Sequence, residues 1–199
     1  MAIFVKICGL TTEADVVAAV EAGADALGFV FAESPRRVTV ERAAALTRDV
    51  PASIVRVAVM RHPTPAEWQE VESGFRPDWL QTDVADFDRL DRGTGVERMP
   101  VYRDSPALDE DQVAREQRVL FEAASSGIGE RADWALAARL AVATRLMLAG
   151  GLDPDNVADA LRQVRPWGVD VSSGVERRRG VKDPNKIAAF VNAVRELEN

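Results

Sequence analysis

Cysteine, histidine and tyrosine each occur once in the 199 residues. The single cysteine, Cys8, cannot close an internal disulfide, so a reducing compartment suits the chain. Positive charge is also short: 25 Lys and Arg stand against 32 Asp and Glu, a formal net charge of −7. That balance argues against a nucleic-acid partner or an anionic membrane surface. It leaves room for a small anionic substrate, because backbone N–H groups and one or two placed arginines can hold a phosphate inside an acidic protein. No run nears the ~18 uninterrupted apolar residues of a membrane-spanning helix. The start, MAIFVKICGL, carries Lys6 inside its short apolar run and lacks a small-residue cleavage site, so it does not read as a secretory signal. No linker, low-complexity segment or charge block divides the chain. The expectation is a soluble, cytoplasmic, monomeric protein of one domain, 1–199, long enough to bury a substantial core.

What the sequence does have is alternation. Residues 3–7 form a first β-rich run, and Thr11, Thr12, Glu13 and Asp15 after it supply a threonine cap and first-turn acids. Val16, Val17 and Val20 then recur at helical spacing until Gly23 stops them. Further strands are expected at 26–31, 54–60, 79–82, 96–102, 119–123, 145–149 and 168–171. Helices are expected at about 40–48, from Pro65, at 133–143, at 154–164 behind an Asp153 cap, and at 184–197. Residues 83–93 offer only Val84, Phe87 and Leu90 as apolar repeats, and 109–115 make a poor helix. Helices four and five should therefore be short or degraded. Strict β-then-α order implies a parallel sheet. Eight such units make a lean α/β protein of the (β/α)8 TIM-barrel kind. An open doubly wound sheet with fewer strands is the alternative.

A parallel barrel builds its site at the C-terminal ends of its strands. That rule selects Lys6 and Cys8 after strand one, Arg36 after strand two, and Gln81 and Asp83 after strand four. It also selects Glu122 with the 125–129 loop, the pair Gly150 and Gly151, and the run Ser172, Ser173 and Gly174. Small residues on successive strand ends suit a phosphate, since backbone can approach it and donate N–H groups. A lone cysteine on an apolar strand is more often an inert core residue. Lys6 shares its side of the strand, and if that side faces the mouth the ammonium would lower the thiol's pKa. Glu122 is either a solvated strand-end acid or an acid partner across the mouth. His62 and the run Arg177, Arg178 and Arg179 read as solvated loop, and Trp134 and Trp167 as packing residues.

The segment VKICGLTTEADVVAAVEAGADALGFVFAESPRRV resembles the opening of the phosphoribosylanthranilate isomerase family. LAGGLDPDNVADAL and RPWGVDVSSGVERRRGVKDPNKIAAFV resemble its last third. The resemblance implies a (β/α)8 barrel that carries out an Amadori rearrangement of a small phosphorylated substrate in tryptophan biosynthesis, with no cofactor and no metal. It implies Cys8 as the base, Glu122 as the acid and Arg36 as the fork for the anthranilate carboxylate. Gly150, Gly151, Ser173 and Gly174 match the phosphate-holding positions, and Asp170 belongs to the same DVSSG motif. Three departures stand out. Gln81-Thr82-Asp83-Val84 replaces a Gln-Leu-His-Gly-like run, Glu122 replaces an aspartate, and the glycine loop holding Gly127 and Gly129 is shortened. Asp83 is therefore a second candidate for the acid. The departures also keep open a barrel that binds a sugar phosphate without catalysis, or one re-specialised for another substrate. A related isomerase of the aminoimidazole ribonucleotide type would need a second phosphate loop, which the sequence does not show.

Overall fold

The structure is a computed structural model describing residues 2–91, 95–124 and 130–198. Eight strands pair in parallel: β1 (Phe4–Cys8), β2 (Ala26–Val30), β3 (Val55–Val59), β4 (Trp79–Asp83), β5 (Glu97–Arg103), β6 (Arg118–Glu122), β7 (Arg145–Leu148) and β8 (Gly168–Val171). The last pairs with the first, Lys6 standing opposite Asp170, so the sheet closes. Closure rules out the open doubly wound alternative. The helices are α1 (Glu13–Ala22), α2 (Val40–Leu46), α3 (Pro65–Phe75), α4 (Glu110–Ala114), α5 (Trp134–Ala143), α6 (Val157–Val164) and α7 (Pro184–Arg195). A 3₁₀ turn, Val84–Asp88, fills the slot after β4, and α4 is only five residues long. These are the two slots where the apolar repeat is thinnest.

Local chemistry explains the better helices. Thr12 and Asp15 exchange hydrogen bonds in a capping box at α1, and Thr64 and Glu67 do the same at α3, where Pro65 opens the helix. Helix α6 begins later than the expected residue 154. The Asp153 carboxylate accepts from the N–H groups of Asp155 and Asn156, so it caps a turn ahead of the helix. The Asn156 amide then donates to the Gly151 carbonyl at 2.8 Å and accepts from the Asp153 N–H. This folds the chain tightly behind the glycine pair at the end of β7.

Alternation along each strand sends one stripe outward to the helices and one inward. The outward stripe, with Leu27, Phe29, Leu80, Phe121 and Leu148, packs on helix residues such as Trp68, Leu140 and Phe190. The inward stripe holds a smaller cluster of Ala26, Val57, Trp79, Met99, Val101, Leu120 and Met147. Its lower end is plugged by Phe4, stacked on Trp167 at 4.7 Å and on Trp79 at 5.3 Å, with the Arg118 guanidinium over Trp79. Trp167 is thus a packing residue. An antiparallel hairpin, β9 (Glu176–Arg178) with β10 (Val181–Lys182), follows β8 and has no counterpart in the expected elements. Arg177, Arg178 and Arg179 are exposed on it.

Candidate active site

Above the apolar floor the inward stripe turns polar. It carries Lys6 and Cys8 on β1, Gly28 on β2, Gln81 and Asp83 on β4, Arg103 on β5, Glu122 on β6 and Asp170 on β8. Strand register sets Lys6 beside Asp170, Cys8 beside Gly28 and Arg103 beside Glu122. Polar side chains so placed face one another across the mouth of the barrel, the end at which parallel barrels do their chemistry.

One side of the mouth is organised around Cys8. The Lys6 ammonium is sealed from solvent and donates to Asp170 Oδ1 at 2.7 Å. Burial works against that ammonium, but Asp170 and the neighbouring thiol outweigh it and hold the Lys6 pKa above its ordinary value. Lys6 stands level with Asp170 and one inward position below Cys8. For Cys8 itself, burial is the larger influence and pushes the thiol up, and Asp170 adds to this. Lys6 and Lys182 pull the other way without reversing it. Lys6 lowers the thiol's pKa as expected, but desolvation exceeds it, so the thiol stands above its ordinary value and not below it.

Arg36 and the hairpin complete this side. The Arg36 Nε donates to Glu176 Oε1 at 2.6 Å and its Nη2 to Oε2 at 3.1 Å, a bidentate fork inside the protein. Lys182 also donates to Glu176 Oε1, at 3.1 Å, and to the Ser172 carbonyl at 2.9 Å. The Gly180 N–H donates to Glu176 Oε2. Burial would raise the Glu176 pKa, but Arg36, Lys182 and Gly180 hold it down at about 2. Burial leaves Lys182 below its ordinary value despite Glu176 and Cys8 beside it. Gly9, with φ +76°, lets the Arg36 stem cross the end of β1, since a Cβ there would lie 2.5 Å from Arg36 Cδ.

The opposite side is a chain of alternating charges. Arg103 binds the Asp83 carboxylate through Nη1, and its Nε lies 3.2 Å from Glu122 Oε1. The other Asp83 oxygen lies 3.1 Å from His62 Nε2, and His62 Nδ1 lies 3.3 Å from Asp86 Oδ1. His62 was expected as a solvated loop residue. It is half exposed, yet left-handed at φ 47° and held between two carboxylates. His62, Asp83 and Asp86 could in geometry surround a cation. Arg103 and Arg89 already answer the two carboxylates, so the cluster works as an ion-pair network.

Between the two sides lies a cleft lined by Glu122, Glu130, Ala149, Gly150, Gly151, Leu152, Asp170, Ser172 and Ser173. Gly150 and Gly151 are left-handed, at φ +86° and +66°. A Cβ on Gly174 would lie 1.9 Å from the Leu152 carbonyl, so the DVSSG turn lies directly against the loop after β7. Backbone exposed in this way can donate N–H groups to a phosphate. The 125–129 loop, with Gly127 and Gly129, lies outside the described residues.

A family model described as N-(5'-phosphoribosyl)anthranilate isomerase matches residues 5–193. The chain belongs to the phosphoribosylanthranilate isomerase family. The N-(5'-phosphoribosyl)anthranilate isomerase of Thiobacillus denitrificans is 44% identical, the match covering 96% of this chain and 98% of that one. A structure of TrpF from Jonesia denitrificans superposes with a TM-score of 0.82 at 38% identity, over 99% and 98% of the two chains. A phosphoribosyl anthranilate isomerase solved with reduced 1-(o-carboxyphenylamino)-1-deoxyribulose 5-phosphate superposes with a TM-score of 0.81 at 30% identity, over 98% and 99%.

Of the residues that the phosphoribosylanthranilate isomerase resemblance nominated, Cys8, Lys6, Asp170 and Arg36 gather on one side and Glu122 and Asp83 on the other. Gly150, Gly151, Ser172 and Ser173 line the cleft between, with Gly174 behind them. Gln81 is buried below Asp83 on β4, and its carbonyl oxygen has no hydrogen-bond partner among the described residues. Sequence reading missed Glu176, Lys182 and Arg103. Arg103 was within reach: it lies two residues beyond Val101 on the inward stripe, one past the expected end of strand five.

Proposed function

We propose that this chain catalyses the Amadori rearrangement of N-(5'-phosphoribosyl)anthranilate to 1-(o-carboxyphenylamino)-1-deoxyribulose 5-phosphate in tryptophan biosynthesis, with Cys8 as base and Glu122 as acid. The observation that carries the residue roles is the split of the mouth into a thiol flanked by Lys6 and Lys182 and a carboxyl facing it across a glycine- and serine-lined cleft. Glu122 protonates the ribose ring oxygen as the C1–O bond breaks. The anilino nitrogen supplies the electron pair of the new C=N bond. The Cys8 thiolate then takes the proton from C2, and the electrons move to form the enolamine. Its tautomerisation to the ketone returns a proton to C1, so substrate and product are isomers. Arg36, held on edge by Glu176, takes the anthranilate carboxylate, and Gly150, Gly151, Ser172, Ser173 and Gly174 take the phosphate.

The test is the loss of anthranilate-derivative fluorescence when the purified protein is offered the substrate. Cys8→Ala should abolish turnover and still bind the reduced product analogue. Full activity in that variant sinks the base assignment. Glu122→Gln should lose about 100-fold or more in kcat, within the usual general-acid contribution of 10²–10⁴. The protein should run as a monomer in size-exclusion chromatography, since its exposed large apolar side chains among the described residues, Val17, Val142 and Leu197, are scattered over α1, α5 and the segment after α7.

A further inference from the structure

We propose that Arg103 is the positioning residue of the acid side of the mouth, acting through Glu122, with Asp83 as its permanent counter-ion. The inference rests on the reading of Glu122 as the acid. Three neighbouring strands end on these residues: Asp83 closes β4, Arg103 closes β5 and Glu122 closes β6. Arg103 and Glu122 are register partners, so both side chains leave the sheet on the same face at the same height. Asp83 pairs with Val101, one inward position below Arg103, so the guanidinium spans from one carboxylate to the other.

The charge count makes the arrangement useful. A general acid has to exist in its protonated form before it reacts. An arginine whose one counter-ion became protonated would be left in a half-buried site without a negative partner, at a cost. Among the described residues the Arg103 guanidinium meets two carboxylates, so Asp83 remains its partner whether or not Glu122 holds the proton it is to deliver. His62, whose Nε2 lies against the second oxygen of Asp83, and buried Asp86 behind it hold Asp83 in place from the outside. Arg103 Nε lies 3.2 Å from Glu122 Oε1, which fixes where the carboxyl group stands at the mouth. A glutamate has three side-chain torsions, and fixing them in advance removes freedom that would otherwise be lost during reaction. When the proton leaves for the ring oxygen, the new negative charge forms beside a guanidinium already in place.

The experiment is a double-mutant cycle on kcat and KM with Arg103→Met, Glu122→Gln and the pair. Arg103→Met should lower kcat by about 10- to 100-fold with KM within about threefold, the size expected for a misplacement near 1 Å. The double variant should be no slower than Glu122→Gln alone, because Arg103 has nothing left to position. Asp83→Asn, which keeps the side chain's shape, should also lower kcat with KM nearly unchanged, and it serves if Arg103→Met proves unstable. If the two losses multiply in the double variant, Arg103 acts independently of Glu122 and the proposal is overturned with the acid reading intact. If Glu122→Gln keeps near-wild-type kcat, the acid reading itself fails and the proposal falls with it.

Discussion

Gly28 stands beside Cys8 on the neighbouring strand and gives the thiol its space: a Cβ on Gly28 would lie 3.0 Å from Cys8 Sγ and 3.0 Å from Lys6 Nζ. Both atoms sit in the volume that any other residue would fill. The φ of Gly28 is ordinary, so the requirement is for room and not for an unusual backbone. Gly28→Ala should therefore fold, with a cost of about 1–3 kcal/mol for overpacking. Its kcat should fall by about 10- to 100-fold, because thiol and ammonium are displaced by several tenths of an ångström or more. Thermal melting and steady-state kinetics on the same preparation check this. Wild-type kcat in the variant would mean that the Lys6–Cys8 contact is dispensable.

With one cysteine in the chain, alkylation by iodoacetamide reports on Cys8 alone. Burial and Asp170 hold the thiol above its ordinary value, so the thiolate is scarce at neutral pH and grows as pH rises. The alkylation rate should climb with a midpoint above the ordinary ~8.5 of a free thiol. Lys182→Met removes a cation that lowers the thiol's pKa, so its midpoint should move higher. Asp170→Asn removes an anion that raises it, so its midpoint should move lower. Midpoints that shift together, or a wild-type midpoint below 8, contradict this account of the thiol's environment.

The barrel, its eight strands and the pair Lys6 and Cys8 were legible because they are local. A β-rich run, its terminal glycine and the capped helix behind it lie within some twenty residues of one another. The ion pairs that tune the site were not legible. Arg36 and Glu176 lie 140 residues apart and meet only because β8 closes on β1 and a hairpin folds back over the end of β1. That hairpin has strands of three and two residues, too short for any alternation to show. The state of Cys8 turned on a competition between burial and two ammonium groups. The second of these, Lys182, is 174 positions away along the chain and carries no motif signal of its own. Glu122 read ambiguously for the same reason, since its partner Arg103 became visible only with the register between β5 and β6.

Glu176 makes acid stability a test of the Arg36 fork. Its folded pKa of about 2 lies well below the ~4.3 of an unfolded glutamate. A depressed carboxylate contributes stability that is fully present above the unfolded value and is lost as pH falls through the folded one. Glu176 should thus contribute on the order of 3 kcal/mol at neutral pH, fading between about pH 4.5 and pH 2. Glu176→Gln leaves Arg36 and Lys182 without their shared anion, so it should be less stable than wild type at pH 7. The gap between the two should narrow steadily toward pH 3. Urea denaturation at pH 7, 4.5 and 3 measures it, and a gap that does not change with pH would exclude a charge effect.

Two glycines separate the cost of close approach from the cost of backbone conformation. Gly23 ends α1 at φ +87° with nothing within 4 Å of an added Cβ. Gly23→Ala should therefore cost only the left-handed penalty, about 1–2 kcal/mol. Gly174 has no such φ, yet a Cβ there would lie 1.9 Å from the Leu152 carbonyl and 2.9 Å from its carbon. Backbone cannot swing aside as a flexible side chain can, so the strain must be taken by the loop after β7 or by the DVSSG turn itself. Gly174→Ala should cost about 3 kcal/mol or more, a Tm loss of roughly 6–12 °C at 2–4 °C per kcal/mol for a chain of this size. Because that loop carries Gly150 and Gly151, KM should rise with the phosphate site displaced, while kcat at saturation falls less. Melting curves of the two variants side by side decide the matter. If Gly174→Ala melts no earlier than Gly23→Ala, the loop yields freely and the glycine of this turn is not there for closeness.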